Sequence, residues 1–230
     1  LAYAPDPKIS RAELSSQFNI DPSKPWIALL PGSRHKEVKM NLPAMLSAAK
    51  QLGNGYEYVL PVASTLQKEW LGLQLGSGPV QVKLSEDARA TLKHSTAAVV
   101  ASGTATVETA LAGVPFVVVY RLARLTWLVG RPLVNLDTFA MPNLIAGRRI
   151  VTELIQNDCT AENIVRELQD LVSEGDRRRQ MLMDLSEVRT KLNDSGNAQL
   201  PVMRAAQEIL EALGRMPGDA FSGQETHLFR

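Results

Sequence analysis

Trp26-Ile27-Ala28-Leu29-Leu30-Pro31-Gly32-Ser33-Arg34 is the stretch on which the fold class turns. Five apolar residues without polar alternation describe a strand buried on both faces, the habit of a parallel sheet. Pro31-Gly32 stops the strand, and a helix-compatible segment then runs to Leu52. This strand, turn and helix recurs: strands are expected at residues 56–62, 80–83, 97–101 and 115–120, with helices at 65–73, 86–94 and 105–112 between them. Alternation of short buried strands with helices predicts an α/β fold, a Rossmann-like parallel sheet with helices on both faces.

Outward from that core, residues 1–25 carry Pro5, Pro7, Pro22 and Pro25 around a short helix at 10–18, and are expected to connect into the domain. Beyond the sheet, helices are expected at 150–156, 161–173, 176–192 and 200–213. The expected domain organisation is a connector (1–25), an α/β domain (26–192), a C-terminal helix (193–216) and a disordered tail (217–230) that lacks periodicity.

Composition narrows the function. With 25 Lys and Arg against 24 Asp and Glu, no net charge favours nucleic acid as a partner. The single cysteine, Cys159, excludes an internal disulfide framework and a Cys-rich zinc site, which fits a reducing, cytoplasmic setting. His35, His94 and His227 are scattered, and none pairs with another at metal-ligand spacing, so no metal site and no cofactor are expected. No apolar run approaches the roughly 20 residues a membrane span needs. The chain opens on Leu1, without a basic-then-apolar leader, and is expected to be a portion of a longer protein.

Two strand-to-helix turns carry the candidate chemistry. At Gly32-Ser33-Arg34 the backbone amides and the positive helix end can face a phosphate, and Arg34 can add a charge-assisted fork. No Gly-Lys-Ser/Thr follows at Walker spacing, which disfavours an ATP-hydrolysing loop. The plainer alternative is a Pro-Gly turn with a solvated arginine. At Ser102-Gly103-Thr104, Ser102 and Thr104 can cap the helix and donate to phosphate oxygens. Glu108, one turn further, is placed for a carboxylate to accept ribose hydroxyls. The alternative makes the first two ordinary caps and Glu108 a favourable charge near a helix start.

The run from Glu108 to Pro115 closes that helix with Gly113 and opens the next strand with Pro115. With it, the chain resembles the nucleotide-sugar half, C-terminal in order, of GT-B glycosyltransferases. Four separated motifs sharpen the resemblance to the lipid-A-disaccharide synthases: Leu29 to Arg34 with Glu37-Val38, Ala101-Ser102-Gly103-Thr104-Ala105, Tyr120-Arg121, and the run from Met141 to Arg148 that includes Asn143. The resemblance spans roughly residues 26–213. It implies that Arg34 and Asn143 belong to the donor site and matter for activity, and that Gly32, Ser33, Ser102, Gly103, Thr104 and Glu108 bind the UDP-sugar. Thr96 departs from the family, whose members often carry Asp there; packing or local charge is expected to change more than chemistry.

By the same resemblance, the activity is transfer of 2,3-diacylglucosamine from its UDP derivative to 2,3-diacylglucosamine 1-phosphate, in the lipid A biosynthesis of Gram-negative bacteria. The acceptor's general base is expected from an N-terminal acceptor domain, so no catalytic residue of that kind is assigned here. The segment bounded by Arg121 and Val134 interleaves Arg with apolar and aromatic residues; it suits either a peripheral contact with the inner face of the inner membrane or a helix packed on the sheet with its arginines reaching water. Arg177-Arg178-Arg179 reads as a solvated face or an anionic-lipid contact. Alternatives are another UDP-sugar GT-B enzyme, such as a UDP-N-acetylglucosamine 2-epimerase or a cell-wall N-acetylglucosaminyltransferase, and a non-catalytic nucleotide-sugar-binding module.

Overall fold

The computed structural model describes residues 7–76, 80–122 and 138–193. Six parallel strands form one sheet in the order β3-β2-β1-β4-β5-β6: β1 Trp26–Leu30, β2 Glu57–Pro61, β3 Val82–Ser85, β4 Ala97–Ala101, β5 Phe116–Tyr120 and β6 Glu153–Ile155. The helices are α1 Arg11–Phe18, α2 His35–Leu52, α3 Lys68–Leu75, α4 Ala88–His94, α5 Thr104–Leu111, α6 Met141–Ala146, α7 Ala161–Val172 and α8 Asp176–Asn193. The parallel α/β architecture read from the apolar runs is thus the observed one.

Every residue of β1 and β4 is buried, as are the first four of β5. Strand alternation divides these residues between two layers. On one face, Trp26 and Val59 pack with Leu14 and Ile20 of the N-terminal segment and Ala90 of α4. On the other, the Tyr58 hydroxyl donates to the carbonyl of Gly53, just past α2, at 2.9 Å, and α2 packs against α7. The N-terminal segment from residue 7 is therefore part of the packed unit. Its helix α1 is held by a capping box between Ser10 and Glu13, and Arg11 lies 4.2 Å over the Trp26 ring while donating to the carbonyls of Lys24 and His94, each at 2.6 Å.

Two elements differ from the sequence expectation. Residues 150–156 were expected to be helical, but Glu153–Ile155 form the edge strand β6, paired with β5 through Val118↔Glu153, Val119↔Leu154 and Tyr120↔Ile155. Three residues are too few to show a period, and the free edge of β5 supplies hydrogen bonds that local propensity does not encode. Helix α6 went unassigned although its signals are present: Pro142 in the first turn and Gly147 closing it in the left-handed conformation.

Of Arg177, Arg178 and Arg179, read as a solvated or lipid-facing run, the first and third are exposed and the second half-buried, and all three also bond within the protein. Arg177 donates to Thr152 Oγ1 at 3.1 Å and Arg179 pairs with Asp176 at 2.5 Å. Arg178 donates to the carbonyls of Thr96 at 2.8 Å and Leu171 at 2.5 Å. The departure at Thr96 is a backbone matter as well: its amide continues the ladder to the Trp26 carbonyl at 2.8 Å, so α8 is moored to the entrance of β4. The helix expected at residues 200–213 and the tail from 217 lie outside the described residues.

Phe116 is fully buried at the start of β5. Phe116→Ala is expected to lower stability by about 3–5 kcal/mol, read as a fall in the urea midpoint at unchanged slope. A change under about 1 kcal/mol would contradict its place in the core.

Candidate functional site at the carboxyl edge of the sheet

The chain reverses direction across the sheet between β1 and β4: β1 leads out to β2 and β3, and β4 leads the other way to β5 and β6. Turns leaving neighbouring strands at such a switch point diverge and open a crevice, which is where open α/β sheets bind ligands. The two turns singled out from sequence, Pro31 to Arg34 and Ser102-Gly103, are the ones that leave β1 and β4. The structure brings them side by side but gives them different roles.

At the β1–α2 turn the anion-binding amides are already engaged from within. The Glu37 carboxylate, in the first turn of α2, accepts from the amides of Ser33 at 3.0 Å and Arg34 at 3.3 Å, and its other oxygen pairs with Arg34 Nη1 at 3.2 Å. Gly32 permits this, with φ of +124° and no side chain; a Cβ there would stand 2.6 Å from both the Cβ and Oε2 of Glu37. The amides expected to hold a phosphate at Ser33 and Arg34 therefore hold Glu37. What this turn offers outward is the Arg34 guanidinium, 82% exposed beside its carboxylate. Thr65 Oγ1 donates to the Ser33 carbonyl at 2.5 Å, and His35 meets Trp70 edge-on at 4.3 Å between ring centroids. His35 is thus an aromatic contact of α3.

At the β4–α5 turn no side chain among the described residues takes that place. The N-cap is Gly103, with φ of +152°, and the first turn of α5 contains no acidic residue. Neither Ser102 nor Thr104 caps the helix, contrary to the expectation. The Ser102 hydroxyl donates to the Phe139 carbonyl at 3.5 Å, while Thr104 is exposed at the first helical position. Glu108 is half-buried one turn in and has no ion pair among the described residues. Among the described residues no carboxylate is bonded to the α5 amino end, whose share of the helix dipole favours an anion.

Asn143 occupies a third position, and it is not on the surface of the crevice. It is 1% exposed and saturated: Oδ1 accepts from the amides of Ile150 at 2.8 Å and Val151 at 2.9 Å, and Nδ2 donates to the Val151 carbonyl at 3.0 Å and to Glu153 Oε1 at 2.7 Å. Its side chain has nothing left for a ligand, so its contribution to a donor site must pass through what it holds.

Sequence reading missed two residues here. Asn41, also 1% exposed, donates to the Pro31 carbonyl and accepts from the Arg121 amide, both at 3.0 Å, fastening the β1–α2 turn to the end of β5. Only a buried asparagine in an otherwise apolar helix face signalled it. Glu153 was hidden by its assignment to a helix. Past Asn41, Arg121 donates to the Cys159 carbonyl at 2.5 Å; burial pushes the Cys159 thiol up in pKa, with Arg121 opposing. Of the segment from Arg121 to Val134 expected to face lipid or pack on the sheet, residues 123–134 lie outside the described residues.

The two glycines make separable predictions. Gly32→Ala is expected to cost roughly 1–3 kcal/mol through its backbone conformation and its clash with Glu37, and Glu37→Gly, which removes both clashing atoms, should lower the melting temperature less in the Gly32→Ala background than in the wild type. Gly103→Ala, with open space around it, should show no such coupling to the same second change. Strict additivity of Gly32→Ala and Glu37→Gly in thermal unfolding would reject the contact.

A family model described as lipid-A-disaccharide synthetase matches residues 4–207. The chain is 51% identical over 207 residues to the lipid-A-disaccharide synthase of Koribacter versatilis (strain Ellin345), covering 89% of this chain and 54% of that protein. It is 47% identical over 226 residues to that of Acidobacterium capsulatum, covering 92% and 56%. The chain thus spans about half the length of the curated relatives it matches. Among solved structures, the glycosyltransferase of kitacinnamycin aligns with a TM-score of 0.53 at 17% identity over 92% of this chain and 46% of that one. The glycosyltransferase VinC in complex with DTDP aligns at 0.51 and 17%, over 84% and 43%. These likenesses show the fold, one half of a GT-B glycosyltransferase.

Proposed function

Since this chain belongs to the lipid-A-disaccharide synthetase family, we propose that it supplies the UDP-sugar site of a lipid-A-disaccharide synthase. The reaction moves 2,3-diacylglucosamine from its UDP derivative to 2,3-diacylglucosamine 1-phosphate and releases UDP. The observation that carries the site is the amino end of α5 at the switch point, which has no side-chain cap, with Glu108 one turn along it in no ion pair among the described residues. The diphosphate lies against Gly103 and Thr104, and the ribose hydroxyls donate to Glu108. Arg34 reaches the diphosphate from the neighbouring turn.

The chemistry follows from charge. As the glycosidic C–O bond to the diphosphate breaks, negative charge grows on the departing oxygen. The α5 amides and the Arg34 guanidinium are preorganised donors that favour the departing state over the ground state. The acceptor hydroxyl also needs a base within hydrogen-bond reach. We assign that base to the acceptor-binding part of the two-domain enzyme, consistent with the matched relatives being nearly twice as long. Both sugars are acylated, which supports work at a membrane surface, and we assign it to the cytoplasmic face of the inner membrane; among the described residues no helix is long and apolar enough to cross a membrane.

The test is a calorimetric titration of UDP into this chain. Saturable binding is expected, and Glu108→Ala and Arg34→Ala should each weaken it about tenfold or more, equivalent to about 1.4 kcal/mol. No heat at millimolar UDP, or affinity unchanged in both variants, rejects the site. In the two-domain enzyme, Arg34→Ala should lower kcat as well as raise KM, because its interaction strengthens as the leaving group departs.

A further inference from the structure

Resting on that site reading, we infer that Glu153 is a positioning residue for the nucleotide-sugar site, and that Asn143 acts through it. The Glu153 carboxylate is half-buried at the head of β6. One oxygen accepts from Asn143 Nδ2 at 2.7 Å and from Thr138 Oγ1, and the other accepts from the Phe139 amide at 2.8 Å. The Phe139 carbonyl in turn receives the Ser102 hydroxyl at 3.5 Å. A chain of contacts therefore runs from the interior asparagine through Glu153 and the backbone of Phe139, amide on one side of its Cα and carbonyl on the other, to the turn that opens α5.

The chain has a fixed polarity, and that is what singles out a carboxylate. Asn143 Oδ1 is held by two backbone amides, so the side-chain amide cannot flip and Nδ2 must point at residue 153 as a donor. The Phe139 amide is also a donor, and it meets the other oxygen. Residue 153 must then accept at both ends, which an ionised carboxylate does and an amide cannot. Glutamine there would set an NH2 against either Asn143 Nδ2 or the Phe139 N–H. Losing an acceptor on the Phe139 side loosens the backbone of residue 139, whose carbonyl receives Ser102, and with it the geometry of the Ser102-Gly103-Thr104 turn.

The internal control is Glu167, a half-buried carboxylate that accepts from Thr152 Oγ1 at 2.6 Å, one residue before Glu153, and has no link to Phe139. Amide hydrogen exchange on the chain without nucleotide reads positioning directly. Glu153→Gln should speed exchange at Phe139 and at residues 102–104 about tenfold or more, whereas Glu167→Gln should leave those amides unchanged at a comparable fall in melting temperature. Equal exchange at residues 102–104 in Glu153→Gln and wild type overturns the inference, as does an equal effect of Glu167→Gln. In UDP titration, Glu153→Gln should weaken binding about tenfold. Adding Ser102→Ala should weaken it no further; full additivity of the two losses overturns the coupling. Wild-type chain that binds no UDP while its Glu153→Gln variant loosens residues 102–104 would instead reject the UDP-sugar reading and leave the positioning role standing.

Discussion

A parallel sheet covered on both faces has no room in its middle for polar chemistry, and this constraint orders the rest of the molecule. All of β1 and β4 and most of β5 are apolar and buried, so polar side chains collect at the rim where the strands end. The connections there run against one another and must satisfy their own backbone groups away from water. Asn41 and Asn143, each 1% exposed, meet that need. An asparagine amide both donates and accepts, so one side chain can tie two segments of backbone that share no ladder. Asn41 joins the exit of β1 to the exit of β5, and Asn143 joins α6 to the approach to β6. No buried side-chain polar atom among the described residues lacks a partner.

How much of this was legible follows from what each feature depends on. The buried strands were legible because a run such as Phe116 to Tyr120 is apolar at every position and bounded by a glycine and proline. The two site turns were legible because Gly32 and Gly103 stand where an apolar run stops, and both have positive φ. Strand β6 was not, since its three residues owe their conformation to the edge of β5 rather than to their own sequence. The site's wiring was not legible either. Asn143 was picked out as a donor-site residue, but nothing local says that its side chain is spent on Ile150, Val151 and Glu153. Likewise Glu37 sits in a motif that names it without saying that its carboxylate folds back on Ser33 and Arg34. A hydrogen bond three or four residues away on a helix start is a common local event, and only the geometry of Gly32 makes it decisive.

The proposed site depends on the difference between the two helix ends. Each carries about half a positive charge on its free amides, and they open from adjacent strands. Were both free, a diphosphate would meet two comparable cradles, and the ribose would have no single place along α5. Glu37 sets them apart by placing a carboxylate at the α2 end, where it accepts from the amides of Ser33 and Arg34 and disfavours a second anion, and it leaves Arg34 as an exposed cation with that carboxylate at its side. In the proposed arrangement the ligand's register is then set by α5 alone, with Glu108 one turn from the phosphates. Arg34 adds charge at longer reach without competing for register. A paired, exposed arginine contributes little to stability by itself, so the fold gives up little when that guanidinium turns toward a growing charge on the leaving group. The same carboxylate that makes the first helix end unattractive to an anion thus holds the arginine beside that turn.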